Sequence, residues 1–240
     1  MSYLKCLGSS SEGNCYILYC GNDILILELG INSDTILNEI GFEKGMSRVQ
    51  GCLVTHKHKD HTGYINQFER YQIPIYSCKE VTEIYPNVNL IESGKKTKIG
   101  NFIIQPISVQ RSCECYAYLI EHEDMGKLLF ATDCNSFKYI IKGLNHILIE
   151  ANHDDSTILN NMKHNRYTAS QFKNHMNFDD TLRTIKANNN IYLQNIILCH
   201  LSNSNSNSNN YIQSIKEEIG ISNVFVANNG LEVDLSKEEF

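Results

Sequence analysis

Thr55-His56-Lys57-His58-Lys59-Asp60-His61-Thr62-Gly63 follows directly on the apolar run Cys52-Leu53-Val54. The run reads as a buried strand, and Thr62 onward as a helix start. Metal-binding side chains therefore crowd into the bend between two elements. Side chains alternate along an extended segment, so His56 and His58 share one side and can grip one divalent ion. Asp60 and His61 lie past the bend and reach toward a second ion a few ångströms away. Neutral imidazole and carboxylate suit zinc, iron or manganese. A polar loop holding three histidines by chance would not also combine this spacing, a preceding strand and a Thr-Gly exit.

Working outward, 240 residues suffice for one substantial domain, and no internal boundary or structural repeat is visible. The hydrophobic fraction of 42% beside 20% charged residues is that of an ordinary globule. No apolar run approaches bilayer-spanning length, and Met1-Ser2-Tyr3-Leu4-Lys5 lacks a signal peptide's apolar core, so the expected location is cytoplasmic. Nine cysteines without a secretory signal argue for reduced thiols. Cys20, Cys52, Cys134 and Cys199 sit in apolar strand contexts, where cysteine is a small core residue. Cys113-Glu114-Cys115 reads as core or loop rather than a metal clip. A net charge of −6 disfavours a long duplex footprint and favours a small nucleotide or a strand end. Lys57, Lys59 and Arg111 either form a local basic groove or are solvated surface charges. The Asn- and Ile-rich composition suits an AT-rich bacterial or phage genome, and a homodimer is compatible with it.

Strands are expected over Cys15–Tyr19 and Ile24–Leu29, split by a Gly21-Asn22-Asp23 hairpin turn. Ser33 should cap a helix that runs to Ile40 and closes at Gly41. A helix near Tyr64–Tyr71 follows the His/Asp loop, and Pro74 opens a short strand at Ile75-Tyr76. Val88–Ile91, Phe102–Ile107, Tyr116–Glu121 and Leu128–Ala131 read as extended. Helix dominates Asp155–Ala187. Asn195–Cys199 is a strand, Tyr211–Ile219 a helix, and Val224–Leu235 an extended tail. The alternating Ser202–Asn210 stretch reads as a loop into the next helix cap, with Ser202-Asn203 bordering the site.

The His-x-His-x-Asp-His motif at His56–His61 is highly specific, and through it the chain resembles the metallo-β-lactamase superfamily. Flanking segments resemble the YycJ/WalJ-like branch, including phage-borne members. They are Gly8-Ser9-Ser10-Ser11-Glu12-Gly13-Asn14-Cys15-Tyr16, Leu129-Phe130-Ala131-Thr132-Asp133, Glu150-Ala151-Asn152, Asn174-His175-Met176 and Leu198-Cys199-His200-Leu201-Ser202. The resemblance implies an α/β fold, a four-layer αββα sandwich, with residues 1–240 as a single domain. It implies one or two divalent ions, zinc first, with manganese or iron as alternatives. His56 and His58 map to the first half-site and Asp60 and His61 to the second. Asp133 maps to the bridge between them and His200 to a distant ligand of the second.

The first half-site's third histidine is missing. Its position falls on Arg111, or on Gln110 with one residue of slippage, and neither is a ligand. Cys113 and His153 are candidates to fill the gap; His153 otherwise reads as a surface residue. Glu28, at a strand end, is placed to hydrogen-bond a metal-site group. His175 matches a histidine near the substrate and can protonate a leaving oxygen. The expected activity is hydrolysis of a phosphodiester in a nucleic-acid end or a cyclic nucleotide. Asp60 would orient the attacking water, with Arg111 or His175 neutralising developing charge. Hydrolysis of a thioester or other ester is the rival chemistry. A catalytically degenerate nucleotide-sequestering protein is the rival class, raised by Arg111 itself.

Overall fold

Alternation along the central strands sorts each residue to one of two cores. In β10 (Gly126–Ala131), Leu128 and Phe130 enter one apolar cluster while Leu129 and Ala131 enter another. In β12 (Asn195–Cys199), Ile197 and Cys199 split from Ile196 and Leu198 in the same way. A sheet buried on both faces needs apolar residues at every position, which is why these strands read as continuous hydrophobic runs. The computed structural model describes residues 1–41, 44–162 and 174–237.

Two sheets face each other. The first runs β14 (Glu232–Asp234), β1 (Ser2–Ser10), β2 (Gly13–Cys20), β3 (Asp23–Leu27), β4 (Val49–Leu53), β5 (Ile75–Ser77), β6 (Asn89–Leu90). The second runs β13 (Val224–Val226), β12, β11 (His146–Glu150), β10, β9 (Tyr116–His122), β8 (Phe102–Ser108), β7 (Thr97–Ile99). The larger cluster lies between the sheets, where the Tyr16 and Phe130 rings meet edge-on at 5.6 Å. Helix α1 (Ser33–Ile40) adds Ile36, Leu37 and Ile40 to it from the first sheet's side. The second cluster lies under α6 (Phe178–Asn188) and α7 (Ser208–Ile219), with the Phe178 and Tyr211 rings stacked at 4.0 Å. The result is the αββα sandwich.

Several expectations shift by a residue or an element. The hairpin turn is Gly21-Asn22, since Cys20 pairs with Asp23 in the ladder. Asn32 caps α1 in place of Ser33: its side chain accepts from the Asp34 amide. The helical turn after the motif, α2 (Lys59–Thr62), starts earlier than expected and takes Asp60 and His61 into its first turn. α3 (Ile65–Phe68) and a 3₁₀ turn at Glu69–Tyr71 follow it. Strands β1, β7 and β11 and helix α4 (Lys79–Ile84) are additions to the expected set. The expected helical stretch contains α5 (Asp155–Met162) and α6, but Asn174–Met176 lies in neither, and residues 163–173 of that stretch lie outside the described residues. The tail divides into β13 and β14, which join different sheets. The cysteines are free thiols, all buried except the half-buried Cys113. Among the described residues no helix is long and apolar enough to cross a membrane.

Candidate metal centre

Three side chains that end strands stand at one edge of the sandwich, each on backbone that L-residues rarely adopt. Glu28 after β3 has φ 67°, Asp133 after β10 has φ 54°, and His200 after β12 has φ 50°. Left-handed backbone at a non-glycine residue is held only where the surroundings over-determine it, and such residues cluster at functional sites. β3 and β4 are parallel, as are β10, β11 and β12, so the ends of these strands converge on one cleft.

The motif loop arrives from β4. His56–His58 form a bend beyond the strand end, with His56 fully buried, Lys57 exposed and His58 half-buried, so the expected alternation persists without the expected strand. The loop is pinned to both sheets: Tyr118 Oη donates to the Val54 carbonyl at 2.6 Å, and the Tyr116 amide to the Thr55 carbonyl at 3.1 Å. The Leu29 amide bonds the His61 carbonyl at 2.9 Å. Gly30 makes this approach feasible, because a Cβ there would stand 1.7 Å from the Asp60 carbonyl oxygen. Gly30→Ala is therefore expected to displace the Asp60 loop and destabilise the protein by about 2 kcal/mol or more. Urea denaturation checks this, and an unchanged midpoint would refute the packing argument.

The structure brings the predicted ligands together. His61 Nε2 lies 3.2 Å from Asp60 Oδ2 and 3.3 Å from Asp133 Oδ2. His200 Nε2 is 3.5 Å from Asp60 Oδ2, and its Nδ1 is 3.2 Å from Asp133 Oδ1. Ligand atoms bonded tetrahedrally at 2.0–2.1 Å stand about 3.4 Å apart, so Asp60 Oδ2, His61 Nε2 and His200 Nε2, with Asp133 Oδ2 beside His61, suit one small divalent ion. Asp60, His61, Asp133 and His200 form one group with converging ligand atoms; His56, His58 and Asp133 form another. A third group, Asp133, Glu150, His175 and His200, includes a residue that the sequence reading left without a role.

That residue, Glu150, is fully buried at the end of β11. One carboxylate oxygen accepts from the Cys134 and Met176 amides, at 3.3 and 3.0 Å. The other is 2.7 Å from His175 Nδ1 and 3.2 Å from His200 Nδ1. Its signal was present: a carboxylate closing the apolar run Ile147-Leu148-Ile149, as Asp133 closes its own run. Asn14 also joins the site: its amide lies within 3.3–3.4 Å of His61 Nε2 and Asp60 Oδ2. Glu28 Oε2 accepts from the Thr55 amide at the head of the motif, at 3.2 Å, while Oε1 stands 3.2 Å from His61 Nδ1 with no hydrogen bond between them.

The candidates for the missing ligand are not brought in. Among the described residues, neither Cys113 nor His153 belongs to a metal-compatible group. His153 is not a surface residue either: it is 1% exposed, and its backbone forms an isolated parallel bridge with Asn177. Arg111 does reach the ligand position, its Nη1 2.7 Å from Asp133 Oδ2. Gln110 is exposed and lines a separate depression with Ser136 and Tyr139. Lys57 pairs with Glu80 at 2.8 Å, which weakens the case for a basic groove. The cleft opens into a cavity of about 250 Å³ lined by Ser11, His58, Asp60, Arg111, Asp133, Asn174 and His175. Ser202 and Asn203, expected at its border, are not in that lining, and the Ser202 amide instead ties to the Asn152 carbonyl. Asn205 further along is fully buried, contrary to a surface loop.

The electrostatics call for a cation. Glu28, Asp60, Asp133 and Glu150 surround the cluster, opposed by the single guanidinium of Arg111. Burial pushes the Asp133 carboxyl up, but His200, His61 and Arg111 outweigh it and hold it well below the carboxylate range. Burial likewise pulls down the His200 imidazole, yet Asp133, Asp60 and Glu150 raise it to about 10. His61 is raised well above its ordinary value against the same burial, by Glu28, Asp133 and Asp60. Without a metal these histidines take protons to supply the charge the carboxylates need. His56 and His58 shift the other way, driven first by burial. The buried Nε2 of His200 has no hydrogen-bond partner, as befits an atom awaiting a ligand bond. The donor set fits a divalent ion.

No family model matches the sequence. A curated relative, the exodeoxyribonuclease YycJ of Bacillus anthracis, is 25% identical over 171 residues, 63% of this chain and 63% of its own length. The match thus spans less than two thirds of that relative. The metallo-β-lactamase-fold protein YhfI from Bacillus subtilis superposes with a TM-score of 0.74 at 15% identity, covering 97% of this chain and 98% of its own. Zinc-bound PqqB from Methylobacterium extorquens gives 0.70 at 16% identity, over 97% and 100%. The short form of human tRNase Z gives 0.64 at 11% identity, over 97% and 99%.

Proposed function

We propose that this chain, which has the metallo-β-lactamase fold, is a metal-dependent phosphodiesterase acting on nucleic-acid ends or nucleotides. The observation that carries the reading is the convergence of Asp60, His61, Asp133 and His200 on one point beside a cavity whose lining includes Arg111 and His175. Those four residues would hold the ion. A bound divalent ion would lower the pKa of water to ~7 and polarise a phosphoryl oxygen.

The chain's own groups divide the remaining tasks. Asp60 stays ionised, because His200 and His61 outweigh the effect of its burial. Its carboxylate lines the cavity and can orient a water and accept its proton. Arg111 presents a permanent positive charge at the cavity wall, suited to a phosphate's developing charge. His175 is fixed through Nδ1 to Glu150 at 2.7 Å, which leaves Nε2 for the substrate side. A carboxylate-backed imidazole can hand a proton to the leaving oxygen. A cavity of about 250 Å³ suits a terminal phosphate with part of its sugar and is small for a duplex. The exodeoxyribonuclease named among the relatives supports a strand-end substrate.

The test is turnover of bis-p-nitrophenyl phosphate and of a 5′-labelled oligonucleotide by protein loaded with zinc or manganese. Activity is expected with either ion, and Asp60→Ala should lower it by about 10²-fold or more. Hydrolysis of thioesters with no phosphodiester turnover would replace the reading. Tight nucleotide binding with no turnover would favour the sequestering alternative.

A further inference from the structure

Arg111 lies in the half of the cleft where His56 and His58 face Asp133. Its Nη1 is 2.7 Å from Asp133 Oδ2, and its Nη2 is 2.8 Å from His58 Nδ1. Nη1 also donates to the Asp133 carbonyl and, at 3.4 Å, to that of Asn174. With its side chain 2% exposed, the guanidinium is locked among four acceptors.

The contacts that Arg111 makes work against a metal in this half. A guanidinium is always charged and has no lone pair. A neutral imidazole has one lone pair, and that of His58 accepts from Arg111, which leaves its other nitrogen as an N–H. His58 then has nothing to offer an ion. Asp133 Oδ2 meets Arg111 on this side and His61 on the other. Only His56 keeps an unpartnered nitrogen, Nε2, at 3.6 Å from the same carboxylate oxygen. An ion bonded there at ~2.1 Å would also lie within about 5 Å of the guanidinium, like charge against like charge in a poorly screened interior.

We propose that this chain holds one divalent ion, at Asp60, His61, Asp133 and His200, and that Arg111 fills the other half-site as a built-in cation. The proposal rests on the metal-centre reading above. One of the three unit positive charges beside the substrate cavity is then part of the polypeptide and independent of metal supply. His58 becomes a positioning residue that fixes the guanidinium, and His56 packs beside it.

The experiment counts ions. Full-length protein is saturated with zinc, and separately with manganese, then desalted and analysed by inductively coupled plasma mass spectrometry. Wild type should retain one ion per chain, Arg111→His two, and Asp60→Ala none. Isothermal titration should show zinc affinity in His58→Ala within about threefold of wild type. Two ions on wild type would overturn the proposal and leave the metal-centre reading intact; no ion on wild type would overturn both. A tenfold or greater loss of zinc affinity in His58→Ala would also overturn it, as would a folded Arg111→His that stays at one ion. Circular dichroism and melting curves establish the fold of each variant.

Discussion

Asp133→Asn should abolish metal retention and reduce phosphodiester turnover by about 10³-fold or more. The substitution is nearly isosteric, and asparagine tolerates the left-handed backbone that position 133 adopts at φ 54°. What changes is charge. Asp133 belongs to all three groups of converging ligand atoms. Its carboxylate lies 3.6 Å from His56 Nε2, 3.3 Å from His61 Nε2 and 3.2 Å from His200 Nδ1. It also neutralises Arg111 at 2.7 Å, with both side chains almost wholly buried. Removing one partner of a buried ion pair strands the other, a loss of about 3–5 kcal/mol. The variant should therefore melt well below wild type as well as lose its metal. Metal content, kcat/KM and Tm read these effects separately. Wild-type metal retention by a folded Asp133→Asn would remove that carboxylate from the site.

How far the sequence foretold this centre depends on which interactions are local. The His56–His61 cluster was legible because its residues are neighbours in the chain and bounded by a strand and a turn. Asp133 and His200 were legible by resemblance and by position, each closing an apolar run. Glu150 closes a run of the same kind, on a strand buried on both faces as β10 and β12 are, so its place was legible and its role was not. Its carboxylate acts through His175, 25 positions away in sequence, and no spacing rule encodes that pairing. His153 failed in the opposite direction: a histidine between Asn152 and Asp154 looks solvated, yet the bridge to Asn177 buries it.

The fold shows the same division. Ends of elements that rest on one side chain moved by a residue: Asn32 won the cap over Ser33 because its carbonyl reaches the Asp34 amide at 2.8 Å. Elements defined by partners far along the chain escaped. β1 pairs with β14 across more than 220 positions, from Tyr3 to Asp234, and the tail's two strands part to different sheets. Arg111 lies between these cases. Its departure from a ligand was plain in the sequence, whereas its contact with His58 required the fold.

Removing the metal should make stability depend on pH in a direction set by His61 and His200. Their folded-state pKa values are raised, His200 to about 10, against an unfolded value of about 6.5. A raised histidine stabilises fully below the unfolded pKa, and that contribution is lost as pH climbs toward the folded pKa, because the folded state then binds the extra proton. Between pH 6.5 and 8 the loss is roughly 2 kcal/mol for His200, and His61 adds to it in the same direction. His56, His58, His146 and His153 are depressed, chiefly by burial, and push the other way. They do so with or without metal, so the informative quantity is a difference. Ligation requires neutral imidazole, and an ion at the centre displaces both protons. The gap in Tm between zinc-loaded and chelator-treated protein should thus widen by about 4 °C or more from pH 6.5 to 8, at fixed free zinc. Below about pH 4 both forms should weaken together as Asp60 and Asp133 are forced to protonate. A gap that stays constant from pH 6.5 to 8 would show that His61 and His200 carry no extra protons in the metal-free fold, and the carboxylate cluster would then lack the unmet negative charge on which the metal centre depends.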